Sequence, residues 1–198
     1  MTIRWIFFLL LTMLDGCSFN TTQPAMETGR FVIPEPSVNT AASTTPRPGV
    51  LRIGRFIVTP PFDVRGLVYR TDDLKYQVDY YNEFFAAPNE SIRSRVVGYL
   101  AKVQPYESIN LTDGLDASYE IRATITELYG DIRTQAHPAA VLTIHWYLLR
   151  NSSGEVLLDR EYSEQVLLPD GSPEALMRGF GSGLYRMLNL FVSEFPPP

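Results

Sequence analysis

The chain has 198 residues with 45% hydrophobic and 20% charged residues, the composition of a globular protein rather than a disordered one. Its formal charge of −5 and pI near 5.1 carry no basic footprint, so nucleic acid is excluded as an expected partner and anionic headgroups exert no overall attraction. One cysteine in the whole chain excludes an internal disulfide, so stability has to come from packing.

That cysteine is the most informative residue. Met1 to Arg4 form a short basic start, Trp5 to Leu11 are apolar without a break, and Leu14-Asp15-Gly16-Cys17 closes the segment. From Trp5 to Leu14 there are ten residues, whereas a helix needs ~20 to span the hydrocarbon. A short apolar run ending at a small residue reads as a removable signal. Residues 1–16 are therefore expected to be a lipoprotein signal peptide, cleaved before Cys17 to leave its thiol and new amino group for acylation. Asp15 stands where resembling signals carry a small uncharged residue, and this predicts slow processing. Ser18 matches the arrangement that directs lipoproteins to the outer membrane of Gram-negative bacteria. Two or more acyl chains make a stable anchor where one binds marginally.

Residues 17–29 are expected to be the lipidated cysteine and a flexible tether, polar, Thr-rich and without periodicity. A flexible tether of twelve residues spans ~20 Å r.m.s., and full extension reaches ~37 Å. Four N-x-[ST] sequons begin at Asn20, Asn89, Asn110 and Asn151; behind a bacterial lipoprotein signal they are chance.

Beyond the tether, Phe31 to Ile33 reads as an edge strand because prolines follow at once. Val50 to Thr59 alternates, with Leu51, Ile53, then Phe56 and Val58 apolar, which predicts a strand bulged at Gly54. Leu67 to Arg70 and Leu74 to Val78 flank Thr71-Asp72-Asp73 as a hairpin. A helix begins near Pro88, with Ile92, Val96, Tyr99, Leu100 and Val103 on one apolar face, and Pro105 ends it. Tyr119, Ile121, Ala123 and Ile125 alternate with Glu120, Arg122, Thr124 and Thr126, predicting one buried and one wet face. Ala140 to Arg150 and Glu155 to Leu168 continue this as an antiparallel meander. Ser172 caps a closing helix with Pro173 at its first position and Leu176, Phe180, Leu184, Met187, Leu188, Phe191 and Phe195 at helical spacing. The fold class is α+β: a single domain over residues 30–198, a mostly antiparallel sheet with two main helices packed on it.

No catalytic, cofactor or metal constellation emerges. His137 and His145 are the only histidines and neither has a neighbouring ligand residue in the sequence. Phe180-Gly181-Ser182-Gly183 lies inside a helix pattern and lacks the strand-to-helix context of a nucleophile elbow. Two features call for a purpose. Gly179, Gly181 and Gly183 each cost about 1 kcal/mol in a helix interior; close packing on the sheet accounts for them, or else a face open to an acyl chain or a second copy of the chain, so a homo-oligomer is among the expected partners. Tyr76, Tyr80, Tyr81, Phe84 and Phe85 put five aromatics in ten residues, more than one inner face can use. They are the candidate contact residues for a partner or lipid.

The order of features resembles the ABC-type transport auxiliary lipoproteins, the family accompanying MCE-type and paraquat-inducible lipid transport systems. The resemblance is carried by Cys17, Phe31-Val32-Ile33-Pro34, Leu51-Arg52-Ile53-Gly54-Arg55-Phe56, Gly66-Leu67-Val68-Tyr69-Arg70 and Phe85-Ala86-Ala87-Pro88 before a helix, with Phe85 where that family usually has tryptophan. It implies a non-enzymatic domain on the periplasmic face of the outer membrane that docks against a conduit for phospholipid-like molecules. Arg70 is expected to be a structural ion-pair partner. The rival readings are a pilotin-like assembly lipoprotein for an outer-membrane pore and a periplasmic hydrolase.

Overall fold

The structure, a computed structural model, describes residues 28–35, 45–110, 117–134 and 136–196. The signal segment, Cys17 and the tether up to residue 27 lie outside the described residues. In chain order the elements are β1 (Gly29–Phe31), β2 (Arg47–Val58), β3 (Gly66–Asp72), β4 (Lys75–Phe84), α1 (Pro88–Val103), β5 (Tyr106–Asn110), β6 (Tyr119–Asp131), β7 (Ala139–Arg150), β8 (Val156–Leu167) and α2 (Pro173–Ser193).

Strand β6 organises the sheet because its two edges are used differently. Along one edge it pairs antiparallel with β7 from Tyr119↔Arg150 to Asp131↔Ala139, and β7 pairs antiparallel with β8. This is the expected meander. The other edge is shared: β2 lies parallel to Tyr119–Ile125, and β3 takes only Gly130 and Asp131, again parallel. The eight-stranded sheet therefore forks into a β2–β5 limb and a β3–β4–β1 limb. Phe62, on the loop between β2 and β3, stacks on Tyr129 of β6 at 5.6 Å.

The sheet is mixed, so the expectation of a mostly antiparallel one holds only in part. The pairs β1–β4, β2–β5, β2–β6 and β3–β6 are parallel, and only β3–β4, β6–β7 and β7–β8 are antiparallel. Short turns announce antiparallel neighbours, whereas parallel neighbours are joined by long crossovers that leave no local mark. Strand β5 was not expected at all. Its five residues, Tyr-Glu-Ser-Ile-Asn, lack alternation, and it forms by lying parallel to β2.

Several local expectations hold. The bulge in β2 falls between Ile53 and Phe56, where three steps along β2 match two along β6. Strand β1 is an edge strand, although it stops at Phe31, and Ile33 beyond it is buried. Helix α1 ends at Gln104, left-handed at φ 46°, just before Pro105. Ser172 caps α2, its hydroxyl accepting from the Ala175 amide at 3.2 Å.

Both helices cover one face of the sheet and touch each other, with the Tyr99 hydroxyl donating to Asn189 at 2.8 Å. Between helices and sheet lies the core, centred on Trp146, which meets Phe56 edge-on at 6.0 Å and stacks on Phe191 at 5.2 Å. The glycine row belongs to this packing. A Cβ on Gly179 would lie 2.6 Å from the Ala140 methyl, and one on Gly181 2.9 Å from the Pro34 carbonyl oxygen. The chain itself fills the space against both glycines.

Candidate functional site

The five candidate aromatics do not act as a group, because β4 does not alternate cleanly. Between the pairs Gly66↔Glu83 and Val68↔Val78, two steps along β3 match five along β4. Asp79 stabilises the irregularity, its Oδ1 accepting from the amides of Tyr81 at 2.8 Å and Asn82 at 3.1 Å. Tyr80 is left 88% exposed, with Tyr81 also exposed. The reversed parity turns Phe84 inward, where it is 2% exposed and stacked on Phe180 at 6.4 Å. Phe84 is thus a core residue and has no surface to offer a partner, contrary to expectation. Phe85, the next residue, is 60% exposed; its amide donates to the Phe31 carbonyl at 2.8 Å, which brings it to the end of β1 beside exposed Val32. Tyr76 packs edge-on to Tyr129 at 5.3 Å on the face away from the helices. Arg70 lies 5.8 Å from the Tyr76 ring and donates to the Asp73 carbonyl at 2.7 Å, so it braces the hairpin turn through backbone acceptors rather than through an ion pair.

The β1–β4 limb thus carries Val32, Tyr80, Tyr81 and Phe85 as exposed apolar side chains. Two guanidiniums stand among them. Arg30 pairs with Glu83 at 3.0 Å, and Arg65 donates to the Phe85 carbonyl at 2.5 Å. A row of exposed rings edged by arginine is the composition of a contact surface.

A second region escaped the sequence reading. Glu120 is expected on a wet strand face, yet it is 4% exposed. Arg122 donates to it at 2.8 Å and Arg52 at 2.5 Å. Burial pushes the Glu120 carboxyl up, and the hydrogen bonds and charges of Arg122 and Arg52 outweigh that, holding it below the usual carboxylate range. Gly54 makes the room: a Cβ there would fall 2.1 Å from Glu120 Oε1. The available signal was the i, i+2 spacing of Glu120 and Arg122, which puts opposite charges on one strand face.

Around this cluster lies an open cleft of about 1130 Å³, lined by Arg52, Gly54, Arg55, Asp63, Asn89, Glu90, Arg93, Glu120, Arg122 and Tyr147 among others. Among the described residues β5 pairs β2 as far as Arg52↔Asn110. Beyond that point Arg93, from α1, donates to the Ile53 carbonyl at 3.1 Å and the Gly54 carbonyl at 3.4 Å.

His145 stacks on Tyr147 at 4.5 Å and is hydrogen-bonded to Asp159. Among the described residues no group of three or more His, Cys, Asp or Glu side chains is placed to hold a metal ion. No helix among them is long and apolar enough to cross a membrane.

The class these features define is an α+β domain with two helices on one face of a forked, mixed eight-stranded sheet. The same fold occurs in the crystal structure of protein XCC0632 from Xanthomonas campestris, at TM-score 0.69 and 15% identity over 82% of this chain and 92% of that one. A second solved structure, of an uncharacterized protein, matches at TM-score 0.68 and 15% identity over 85% and 98%. No curated protein matches the chain. The sequence model of the ABC-type transport auxiliary lipoprotein component family matches residues 31–189, and the chain belongs to that family.

Proposed function

We propose that this protein is a lipid-anchored, non-enzymatic auxiliary subunit of an MCE-type or paraquat-inducible intermembrane lipid transport system, held at Cys17 on the periplasmic face of the outer membrane. Tyr80, Tyr81 and Phe85, with Tyr76 at their flank, are its contact surface for a transport partner. The observation that carries this reading is the exposed aromatic limb at the strand through which the chain arrives from Cys17, in a member of an auxiliary lipoprotein family. Exposing Tyr80 and Phe85 to water forgoes burial worth roughly 1.5–3 kcal/mol for each ring of that size. A partner that covers them recovers it.

The test is photo-crosslinking in the native host from positions 80 and 85, with identification of the captured protein. Capture of an MCE-type or paraquat-inducible transport protein supports the reading. Capture of a secretin-like outer-membrane pore instead replaces it with an assembly role. The anchor is tested separately: Cys17→Ser is expected to leave the domain folded and release it from membranes, and retention of that variant on membranes counts against acylation.

A further inference from the structure

The cleft around the β2 bulge has a charge balance unlike the rest of the molecule. Four arginines, Arg52, Arg55, Arg93 and Arg122, line it against three carboxylates, Asp63, Glu90 and Glu120, in a chain whose formal charge is −5. The carboxylates do not neutralise the arginines one by one. Glu120 alone serves both Arg52 and Arg122. Arg93 donates Nε–H to the Gly54 carbonyl and an Nη2–H to the Ile53 carbonyl, which holds the side chain in place and leaves Nη1 without a partner and the charge unpaired among the described residues. Arg55, at the bulge itself, is exposed and has neither a hydrogen bond nor an ion pair with any described residue. The Nε–H of Arg52 is buried without an acceptor, and a buried donor left unmade is unfavourable.

The backbone adds to this. Helix α1 starts at the cleft, with Asn89 and Glu90 of its first turn on the lining. Its N-cap is Ala87, whose side chain can accept nothing, so the first-turn amides have no side-chain cap. Amides at a helix start present positive partial charge to whatever lies in front of them. Cationic forks beside such a start suit an anion that is compact and rich in oxygen, because guanidinium presents paired donors to adjacent oxygens. A phosphoryl group has that geometry, with several oxygens around one centre.

We propose that the cleft at the β2 bulge binds a phosphoryl group, gripped by Arg55 and Arg93 and by the uncapped first turn of α1. Arg52 and Arg122, fixed by Glu120, form the positive floor behind it. The chemistry is shared by free phosphate, a soluble phosphate ester and the diester of a phospholipid headgroup. The site is independent of the anchor at Cys17 and of the aromatic limb.

The experiment is a titration of the isotopically labelled full-length protein in detergent with inorganic phosphate, followed at the amides of Asn89 and Glu90 and the side-chain Nε–H groups of Arg55 and Arg93. Saturable shifts at these positions are expected. Arg55→Gln removes one charge-assisted partner and is expected to weaken binding about tenfold, the equivalent of ~1.4 kcal/mol, with the unfolding midpoint unchanged because Arg55 holds nothing else. Arg93→Gln is expected to weaken it further, and its thermal unfolding is measured alongside to separate binding from folding. Displacement of phosphate by dihexanoyl phosphatidylglycerol at lower concentration than free phosphate needs assigns the site to a lipid headgroup; the reverse order assigns it to a soluble phosphate. The proposal is overturned if sodium chloride at matched ionic strength produces the same shifts, or if Arg55→Gln binds phosphate as tightly as the unaltered protein.

Discussion

The meander of β6, β7 and β8 and the limb of β1, β3 and β4 belong to one sheet, yet they divide its work. In β7 the first six residues are all buried, whereas in β4 nine of ten residues are exposed or half-buried. The meander packs Trp146 against Phe191 of α2 at the centre of the core, while β4 contributes only Phe84 to it, stacked on Phe180 of α2. The lesson is that aromatic content and burial are separable here: Trp146 of the meander is enclosed by the core, whereas Tyr80 and Tyr81, two of the four rings on β4, are exposed.

The largest loss of stability is expected at Trp146. Trp146→Ala removes the ring between Phe56 and Phe191 and is expected to lower stability by about 3–5 kcal/mol, read from urea unfolding. Next in size is the buried carboxylate. Glu120→Gln leaves Arg52 without its ionised partner and is expected to cost roughly 3 kcal/mol. Gly54→Ala pushes the same carboxylate aside, so the two substitutions combined should cost clearly less than their sum in a double-mutant cycle; strict additivity would mean that Gly54 does not act through Glu120.

Glu120 also sets a pH dependence. Its folded pKa lies below the ordinary glutamate value of about 4.5, so its contribution is fully present above that value and is lost as pH falls through the folded value. Asp131, lowered chiefly by hydrogen bonds from Arg133, acts in the same direction. Acid titration of stability should therefore show a fall below about pH 4.5 that is shallower in Glu120→Gln.

Smaller effects sharpen the contrast. Ser172→Ala removes the cap of α2 and is expected to cost about 1 kcal/mol, measured by thermal unfolding. Tyr80→Ser should change stability by no more than about 0.5 kcal/mol, while reducing capture of a partner in pull-down. A large loss of stability from Tyr80→Ser would erase the distinction between the two regions.

The same division explains what could be read early. Alternation along residues 119–125 and 140–150 identified the buried face of the meander because those strands are regular there and their partner is a turn away. The spacing of Leu51, Ile53, Phe56 and Val58 revealed the β2 bulge, since one extra residue shifts the parity of an otherwise alternating strand. On β4 the irregularity adds three residues relative to β3, and Phe84 and Phe85 could not be told apart by counting. The burial of Glu120 had a visible cause in Arg122, but its second partner, Arg52, comes from a strand 68 positions away.

By itself the amino-acid order determined the two helices, the Ser172 cap of α2, the hairpin, the meander, the edge position of β1 and the family resemblance. These rest on periodicity, turn chemistry and contacts between near neighbours. Only the tertiary structure decided the fork of the sheet, the parallel pairs, the existence of β5, which aromatics face outward, and the gathering of four arginines at one cleft. Each of these joins segments separated by long stretches of chain, and such contacts are chosen by the packing of the whole molecule rather than by any local preference.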